Sequence, residues 1–407
     1  MRALPRTPPP TGAAPPAAVA LPGLPRAEPG TSLYVHLPFC ATKCRYCDFP
    51  SYPGRGMPIN AYLDALLVEI RARAPREPRT IFLGGGTPTY LGEDQIRRVF
   101  AAIGEATGFD AGSAEVTVEA NPESATEEKL LLLRRCGANR LSLGVQAMRE
   151  RLLQFFDRPH DVAGVRRAVR EARAAGFENL NLDLIFGAPG QSRTDWKEDL
   201  AAAISLGPDH LSLYDLVYEE GTAFRRWLDR GWLSPLPEEA CRELYLLSVE
   251  LAESGGFRRY EVSNFARPGR ECRHNLTYWR NLPYVGVGCG AASYVGGIRW
   301  KNDPHVLPYI RALERGVAPL VEQERLSGLD RLKESMFLGL RLREGVTRSS
   351  LLQETGLDLG SVFEIEIRSS MGKGLLEWDG ERLRLTAEGV LLADSVIYSF
   401  FAQSAIR

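Results

Sequence analysis

Three cysteines carry the clearest chemistry in the chain: Cys40, Cys44 and Cys47, set in Cys-Ala-Thr-Lys-Cys-Arg-Tyr-Cys. Thiolates are soft ligands, and three of them on a tight loop can hold three irons of a 4Fe–4S cluster. The fourth iron then has no cysteine and stays open to chelation by a small molecule. A closed zinc site usually takes four ligands, and the fourth would have to come from His36, Asp48 or a remote cysteine. The remaining cysteines, Cys136, Cys241, Cys272 and Cys289, are scattered. Cys136 and Cys241 fall in helical patterns and read as small core residues. Cys289, inside Gly286-Val-Gly-Cys-Gly290, reads as a tight backbone approach near the active cavity. Seven cysteines, with three crowded into eight residues, do not form a disulfide framework; they point to a reducing compartment. The expected localisation is cytoplasmic.

Elements of a particular kind must position this loop. From residue 31, short β-rich runs alternate with longer helical runs. Strands are expected at Leu33–Leu37, Thr80–Leu83, Glu115–Glu119, Arg140–Gly144, Leu180–Ile185 and His210–Leu216. Helical patterns lie near 58–73, 93–107, 125–136, 161–175, 194–205 and 238–255. Such alternation implies parallel βαβ units. No glycine fingerprint opens the first helix, which disfavours a dinucleotide-binding fold. A partial (β/α)6 TIM-like barrel fits better, with chemistry on the loops after the C-terminal strand ends. The cysteine motif follows the first strand directly.

The chain divides into four stretches. Residues 1–30 hold nine of the 27 prolines and read as a disordered, Pro/Ala-rich tail. Residues 31–265 form the α/β core. Residues 266–327 read as a connecting region, with irregular structure expected over 266–305, which is rich in Gly, Asn, Tyr and Trp. Residues 328–407 read as a C-terminal α+β unit of winged-helix type, with a hairpin turning at Asp379-Gly380 and a final helix capped near Thr386. The 50 Lys+Arg and 51 Asp+Glu leave a net charge of −1, so a general affinity for nucleic acid is unsupported. No run of ~18 apolar residues is present to span a membrane.

The Cys-x3-Cys-x2-Cys loop after the first strand of a βα repeat resembles the radical S-adenosylmethionine superfamily. The closer resemblance is to its coproporphyrinogen dehydrogenase-like subfamily, which includes HemN and HemW. It rests on Leu33-Tyr-Val-His-Leu-Pro-Phe-Cys40, Gly84-Gly-Gly-Thr-Pro-Thr89, Glu119-Ala-Asn-Pro122, Ser142-Leu-Gly-Val-Gln146, Arg158-Pro-His160, Asn181-Leu-Asp-Leu184 and His274-Asn-Leu-Thr-Tyr-Trp279. The resemblance implies a 4Fe–4S cluster whose open iron is chelated by S-adenosylmethionine. It implies that the reduced cluster cleaves the sulfonium to a 5′-deoxyadenosyl radical, with electrons from a flavodoxin- or ferredoxin-type donor. By the same resemblance, Tyr34 and Tyr46 pack around the cofactor at the cluster loop. Gly85, Gly86 and Thr87 face its methionine end, and Glu119 is the carboxylate that meets it. Gln146, Arg158 and Asp183 supply the remaining polar contacts, which in the dehydrogenase relative belong to a second S-adenosylmethionine. His36 and Asp48 back the cysteine motif at most.

Two features separate the close relatives. The dehydrogenase pattern continues to a further cysteine where this chain has Phe49. His274-Asn-Leu-Thr-Tyr278-Trp279 resembles the heme-binding motif of heme chaperones. A histidine is a good axial ligand of heme iron, and Tyr278 and Trp279 offer flat apolar area for a porphyrin. Cys272, two residues before His274, is an alternative metal partner. The leading expectation is a heme chaperone that binds heme through His274 and passes it to an acceptor protein, such as a membrane-bound respiratory enzyme. The alternative is a radical enzyme acting on a porphyrin or other apolar substrate, either coproporphyrinogen III oxidase-like or a methyltransferase. A non-catalytic Fe–S or zinc interaction protein is the third reading.

Overall fold

The computed structural model describes residues 24–401. Of the tail expected over residues 1–30, residues 1–23 lie outside the described residues. Leu24 and Ala27 pack against the main core, and the Gly30 amide donates to the Arg76 carbonyl at 3.0 Å. Packing therefore begins ahead of the expected boundary.

Six parallel strands stand side by side in chain order: β1 (Ser32–Leu37), β2 (Thr80–Gly85), β3 (Glu115–Ala120), β4 (Arg140–Gln146), β5 (Asn179–Phe186) and β6 (His210–Asp215). Helices Ile59–Arg73, Glu93–Thr107, Glu127–Arg135, Val162–Ala174 and Arg193–Ser205 make the crossovers. The chain thus adopts the expected partial (β/α)6 barrel. Each strand alternates. Leu33, Val35, Ile81, Leu83, Val116, Val118, Leu141, Leu143, Leu180, Leu182, Leu211 and Leu213 join the apolar core. The residues between them include Ser32, Thr80, Ser142, Asn181, Asp183, His210 and Ser212, which bond to one another across neighbouring strands. Because side chains alternate between the two faces of a strand, Leu-x-Leu gives one face to the helices and leaves a polar face for the barrel interior. The helices match that outer face: Val165, Ala168, Val169 and Ala172 are the buried stripe of Val162–Ala174, at the spacing of one helix side.

The sheet extends beyond the barrel on both edges. On the β6 side, Asn264–Ala266 and Arg258–Arg259 add antiparallel strands. On the β1 side, Tyr284–Val287 pairs parallel with β1, and Ala292–Val295, Ile298–Asn302 and Leu320–Arg325 follow antiparallel. The irregular structure expected over 266–305 is thereby corrected: it carries a helix, Arg273–Trp279, and three strands continuous with the barrel sheet. The glycines there serve hairpin turns and close packing. A Cβ on Gly286 would lie 2.1 Å from the Ala292 carbonyl oxygen.

The C-terminal unit has its own core, built on Leu332, Met336, Leu383, Ile397 and Phe400. Val346–Thr347, Arg382–Leu385 and Leu376–Trp378 form a three-stranded antiparallel sheet. The expected hairpin turns at Asp379-Gly380, where Asp379 Oδ1 accepts from the Arg382 amide at 2.7 Å. Thr386 Oγ1 caps the next helix through the Gly389 amide at 3.0 Å. The winged-helix expectation fits this arrangement. Among the described residues, no helix is long and apolar enough to cross a membrane.

Candidate cluster and cofactor cavity

At the C-terminal ends of the strands lies a cavity of about 400 Å³. Its lining includes Cys40, Cys44, Cys47, Tyr46, Gly85, Gly86, Thr87, Glu119, Gln146, Arg158 and Asp183. Residues from six positions in the sequence, some on strands and some on the loops after them, thus converge at this end of the barrel. Tyr34 is the predicted contact that does not join them. It lies further down β1, its hydroxyl on His36 Nδ1 at 2.9 Å and its ring beside Phe82 and His274. Its place at the cluster loop is corrected accordingly: residue 34 sits three positions before the strand end, in the barrel interior.

The cysteine loop is clamped from several sides. Gly54 N donates to the Cys40 carbonyl at 2.8 Å, and Thr87 N to the Phe39 carbonyl at 2.9 Å. Arg45, between two of the cysteines, reaches the last carbonyls of helix Glu150–Phe156, donating to Gln154 O at 3.1 Å and Phe155 O at 3.0 Å. A helix C-terminus offers unpaired carbonyls and partial negative charge, which a guanidinium satisfies. Arg45 also lies over the Trp227 ring at 5.1 Å.

Each thiol has a side-chain hydrogen-bond partner. Thr87 Oγ1 donates to Cys40 Sγ at 3.4 Å, Arg158 Nη1 donates to Cys44 Sγ at 3.2 Å, and Ser51 Oγ lies 3.6 Å from Cys47 Sγ. Asn121 ties the first two together. Its Nδ2 donates to Thr87 Oγ1 at 2.8 Å, and its Oδ1 accepts from Arg158 Nη2 at 2.6 Å. Among the described residues, no three His, Cys, Asp or Glu side chains converge tightly enough to hold a single ion. Three thiols spread along a loop suit a cluster, in which each cysteine meets a different iron. His36 is no fourth ligand: its Nε2 is engaged by the Pro50 carbonyl at 2.8 Å, its Nδ1 by Tyr34, and burial lowers its pKa to about 4. Asp48 lines the cavity.

The glycines are there for space. Gly85 has φ +98°, and a Cβ on it would sit 2.2 Å from the His36 ring. A Cβ on Gly86 would lie 2.6 Å from the Leu37 carbonyl oxygen. Only glycine lets this turn approach the cysteine strand. Gln146, at a register shift between β4 and β5, holds φ +67° without being glycine. Such strain is concentrated at functional sites.

The electrostatics are of buried carboxyls beside a cation. Burial, and then the charge of Asp183, push Glu119 up to about 8, while the Gly85 amide at 3.1 Å works the other way. Burial also raises Asp183, which Asn181, Ser142 and Ser212 partly compensate by hydrogen bonds. Burial works against the Arg158 charge, but Tyr46, Cys44 and Glu123 more than offset it and hold its pKa above the usual value. Arg158 Nε is buried without a partner. Burial pushes Cys40 up to about 11. A polar pocket with an unspent guanidinium donor, buried carboxyls whose pKa values are raised and three thiols fits a cluster plus a zwitterionic, cationic ligand.

His274 is elsewhere. Helix Arg273–Trp279 closes the opposite end of the barrel, and its start is held by Glu115, which accepts from the His274 amide at 2.9 Å. His274 is 1% exposed. Its Nδ1 lies 2.7 Å from Thr80 Oγ1, its Nε2 3.0 Å from Tyr278 OH, and its ring stacks on Phe82. Burial lowers its pKa to about 3, so it is neutral. Both ring nitrogens are committed, so the expected iron ligand is not an open one here. Cys272 caps the same helix through the Asn275 amide and is not a metal partner of His274. Cys241 departs from its expected core position: it lines a second cavity. Cys289 is fully buried beside Tyr62, outside the cofactor cavity. Asn121, Glu123 and Arg45 are site residues that sequence reasoning passed over, although Asn121 stands inside Glu119-Ala-Asn-Pro122.

Comparison with known proteins agrees with the cavity. Residues 34–203 match the radical SAM superfamily, and residues 326–392 match the HemN C-terminal domain. The heme chaperone HemW of Bacillus subtilis is 37% identical over 376 residues, 91% of this chain and 99% of that protein. The chain belongs to the HemW family. HemW of Escherichia coli is 32% identical over 92% of this chain and 99% of its own length. The mouse mitochondrial radical S-adenosyl methionine domain-containing protein 1 is 33% identical over 91% and 87%. Among solved structures, the coproporphyrinogen III oxidase HemN of Escherichia coli superposes with a TM-score of 0.79 at 25% identity, covering 94% of this chain and 92% of that one. Phe49, two residues after Cys47, lines the cavity and is 62% exposed.

Proposed function

We propose that the protein is a heme chaperone that carries a 4Fe–4S cluster and S-adenosylmethionine, and hands heme to an acceptor protein. The observation that carries this is the near end-to-end match to HemW proteins, joined to a cavity lined by the three cysteines and by every residue expected at S-adenosylmethionine except Tyr34. Cys40, Cys44 and Cys47 would hold three irons. When bound, the cluster would supply one-electron chemistry and one iron open to the amino and carboxylate groups of S-adenosylmethionine. Gly85, Gly86 and Thr87 would offer close backbone approach at the methionine end. Glu119, Gln146, Arg158 and Asp183 would orient the rest. The acceptor is proposed to be a membrane-bound respiratory enzyme met from the cytoplasm, and the electron donor a flavodoxin or ferredoxin.

An anaerobic heme titration of cluster-reconstituted protein, followed by absorbance, tests the proposal. Saturable binding at one heme per chain is expected, with no porphyrin product. If no heme binds, or if a substrate-derived product accumulates beyond 5′-deoxyadenosine, the protein is a radical enzyme instead.

A further inference from the structure

The cofactor cavity has a neighbour. A second cavity, about 920 Å³, lies between β6, the helix Glu238–Ser254 and the C-terminal unit. Both cavities are lined by Tyr214, Asp215 and Leu216, so one strand end divides them. The volume is that of a site for a cofactor-sized ligand, about 300–1,000 Å³. Leu213, Leu236, Val262, Trp279, Val390 and Leu392 give it apolar walls. Asn275 and Trp279 line it together because they stand four apart on the helix that carries His274. Trp279 Nε1 and Tyr218 OH, on two lining residues, are buried without partners.

Two arginines stand among the lining residues. Arg242 lies 3.2 Å from Glu239 and 3.8 Å from Glu388, and Arg341 lies 2.6 Å from Asp394. The Glu388 and Asp394 side chains are 70% and 73% exposed. The carboxylate ends are therefore open to water and replaceable by other carboxylates, while Arg341 itself, 16% exposed, is held in place by the Phe337 carbonyl at 2.8 Å. Of the other acids in the lining, Glu261 is spent on Asn264 and the Ser263 amide, and Asp215 faces Cys241, with burial raising its pKa to about 6. Glu238 begins the Glu238–Ser254 helix, where its charge suits the helix N-terminus.

We propose that this second cavity is the porphyrin site: a flat apolar macrocycle lies between β6 and the C-terminal unit, and its two carboxylates replace Glu388 and Asp394 on Arg242 and Arg341. The inference rests on the heme-chaperone reading and gives it a location. It assigns the motif a different role from iron ligation by His274: Asn275 and Trp279 face the ligand, while His274 holds the floor of the barrel. It also sets the ligand one strand end away from the cofactor cavity. Recognition is by shape and by two carboxylates, so it does not depend on the iron.

The test is a fluorescence and absorbance titration of the reconstituted protein with hemin and with iron-free protoporphyrin IX. The variants are Leu392→Trp, which fills the cavity from a half-exposed position, the double variant Arg242→Ala/Arg341→Ala, and His274→Phe, which keeps a ring at that place. Wild type should bind both porphyrins with affinities within about tenfold of each other. Leu392→Trp and the double arginine variant should each weaken both by about tenfold or more, with iron and sulfide content unchanged. His274→Phe should still bind. Should Leu392→Trp or the double variant fail to fold, Arg242→Ala alone, at a side chain 40% exposed, keeps the test. Wild-type affinity in the arginine variant, or heme binding that excludes protoporphyrin and vanishes in His274→Phe, overturns the location and leaves the chaperone reading standing. Failure of the wild type to bind either porphyrin overturns both.

Discussion

Replacing Asn121 by leucine should uncouple two of the three cysteines at once. Asn121 joins Thr87, the donor to Cys40, to Arg158, the donor to Cys44. Leucine has a similar volume but neither donates nor accepts. One neutral hydrogen bond is lost, worth about 0.5–1.5 kcal/mol, and one to a charged group, worth about 1.5–3 kcal/mol. Thr87 is 3% exposed and cannot turn to water. Arg158 keeps the Gly144 carbonyl at 2.8 Å and borders an open cavity, so water replaces part of its loss. The net cost is therefore about 2–3 kcal/mol, toward the lower end of the summed range. Urea denaturation of cluster-free protein in reductant should show a lower midpoint at unchanged m. The double variant with Thr87→Val should lose less than the sum of the two singles, because they share a bond. Iron and sulfide per chain after reconstitution should fall as well, since Cys40 and Cys44 lose their aligned donors. A stability loss under about 0.5 kcal/mol, the ordinary scatter of surface substitutions, together with full cluster content, would refute the network as the device that sets the cysteine loop.

Two further predictions concern the same cavity. Glu119 is held near 8 in the folded chain against an ordinary value of 4.5. Between these values the unfolded chain has lost the proton that the folded one keeps, so stability falls as pH rises from about 4.5 to 8 and levels off above. Glu119→Gln should flatten that slope, read from urea midpoints across the pH range; an unchanged slope would mean Glu119 is ionised in the folded chain. Gly86→Ala should prevent cluster assembly, because its Cβ would meet backbone 2.6 Å away. Gly104→Ala, on a helix with open space around it, should instead stabilise the protein by about 0.5–1 kcal/mol in thermal melts. Equal effects of the two alanines would deny the steric account.

The barrel was legible because its signals are local. Strand and helix periods, and the cysteine spacing, are written within a few residues, and each βα unit folds on near neighbours. The edge strands from Tyr284 to Arg325 were not legible for the converse reason. Tyr284–Val287 pairs with β1, about 250 residues earlier, and its Tyr-Val-Gly-Val is too short and glycine-rich to announce a strand. The helix Glu150–Phe156 was missed as well, although its C-terminal carbonyls are what Arg45 grips. The alternation in Arg140-Leu-Ser-Leu, Asn181-Leu-Asp-Leu and His210-Leu-Ser-Leu was available, and it marks the barrel interior as polar.

His274 shows why a residue type near aromatics does not define a ligand. A histidine can bind iron only through a nitrogen lone pair that nothing else holds. Thr80, at the start of β2, and Tyr278, one turn along the same helix, take both nitrogens. Glu115, at the start of β3, fixes the helix amides above them. These partners come from strand N-termini, the end of a parallel barrel where residues serve stability and not chemistry. From there a hydrogen-bonded line runs inward: Asn275 Nδ2 to Tyr260 OH, Tyr260 OH to His210 Nε2, His210 Nδ1 to Asn181 Oδ1, and Asn181 Nδ2 to Asp183. Burial and Arg140 keep His210 neutral, so the line holds with one donor and one acceptor on that ring. The motif that looked like a metal site is, through Asn275, the far end of a polar barrel core that reaches Asp183 in the cofactor cavity. Ligation by His274 would require breaking a buried hydrogen bond to Thr80 or a part-buried one to Tyr278 and opening the barrel floor, whereas the Asn275 and Trp279 face of the same helix already borders the second cavity.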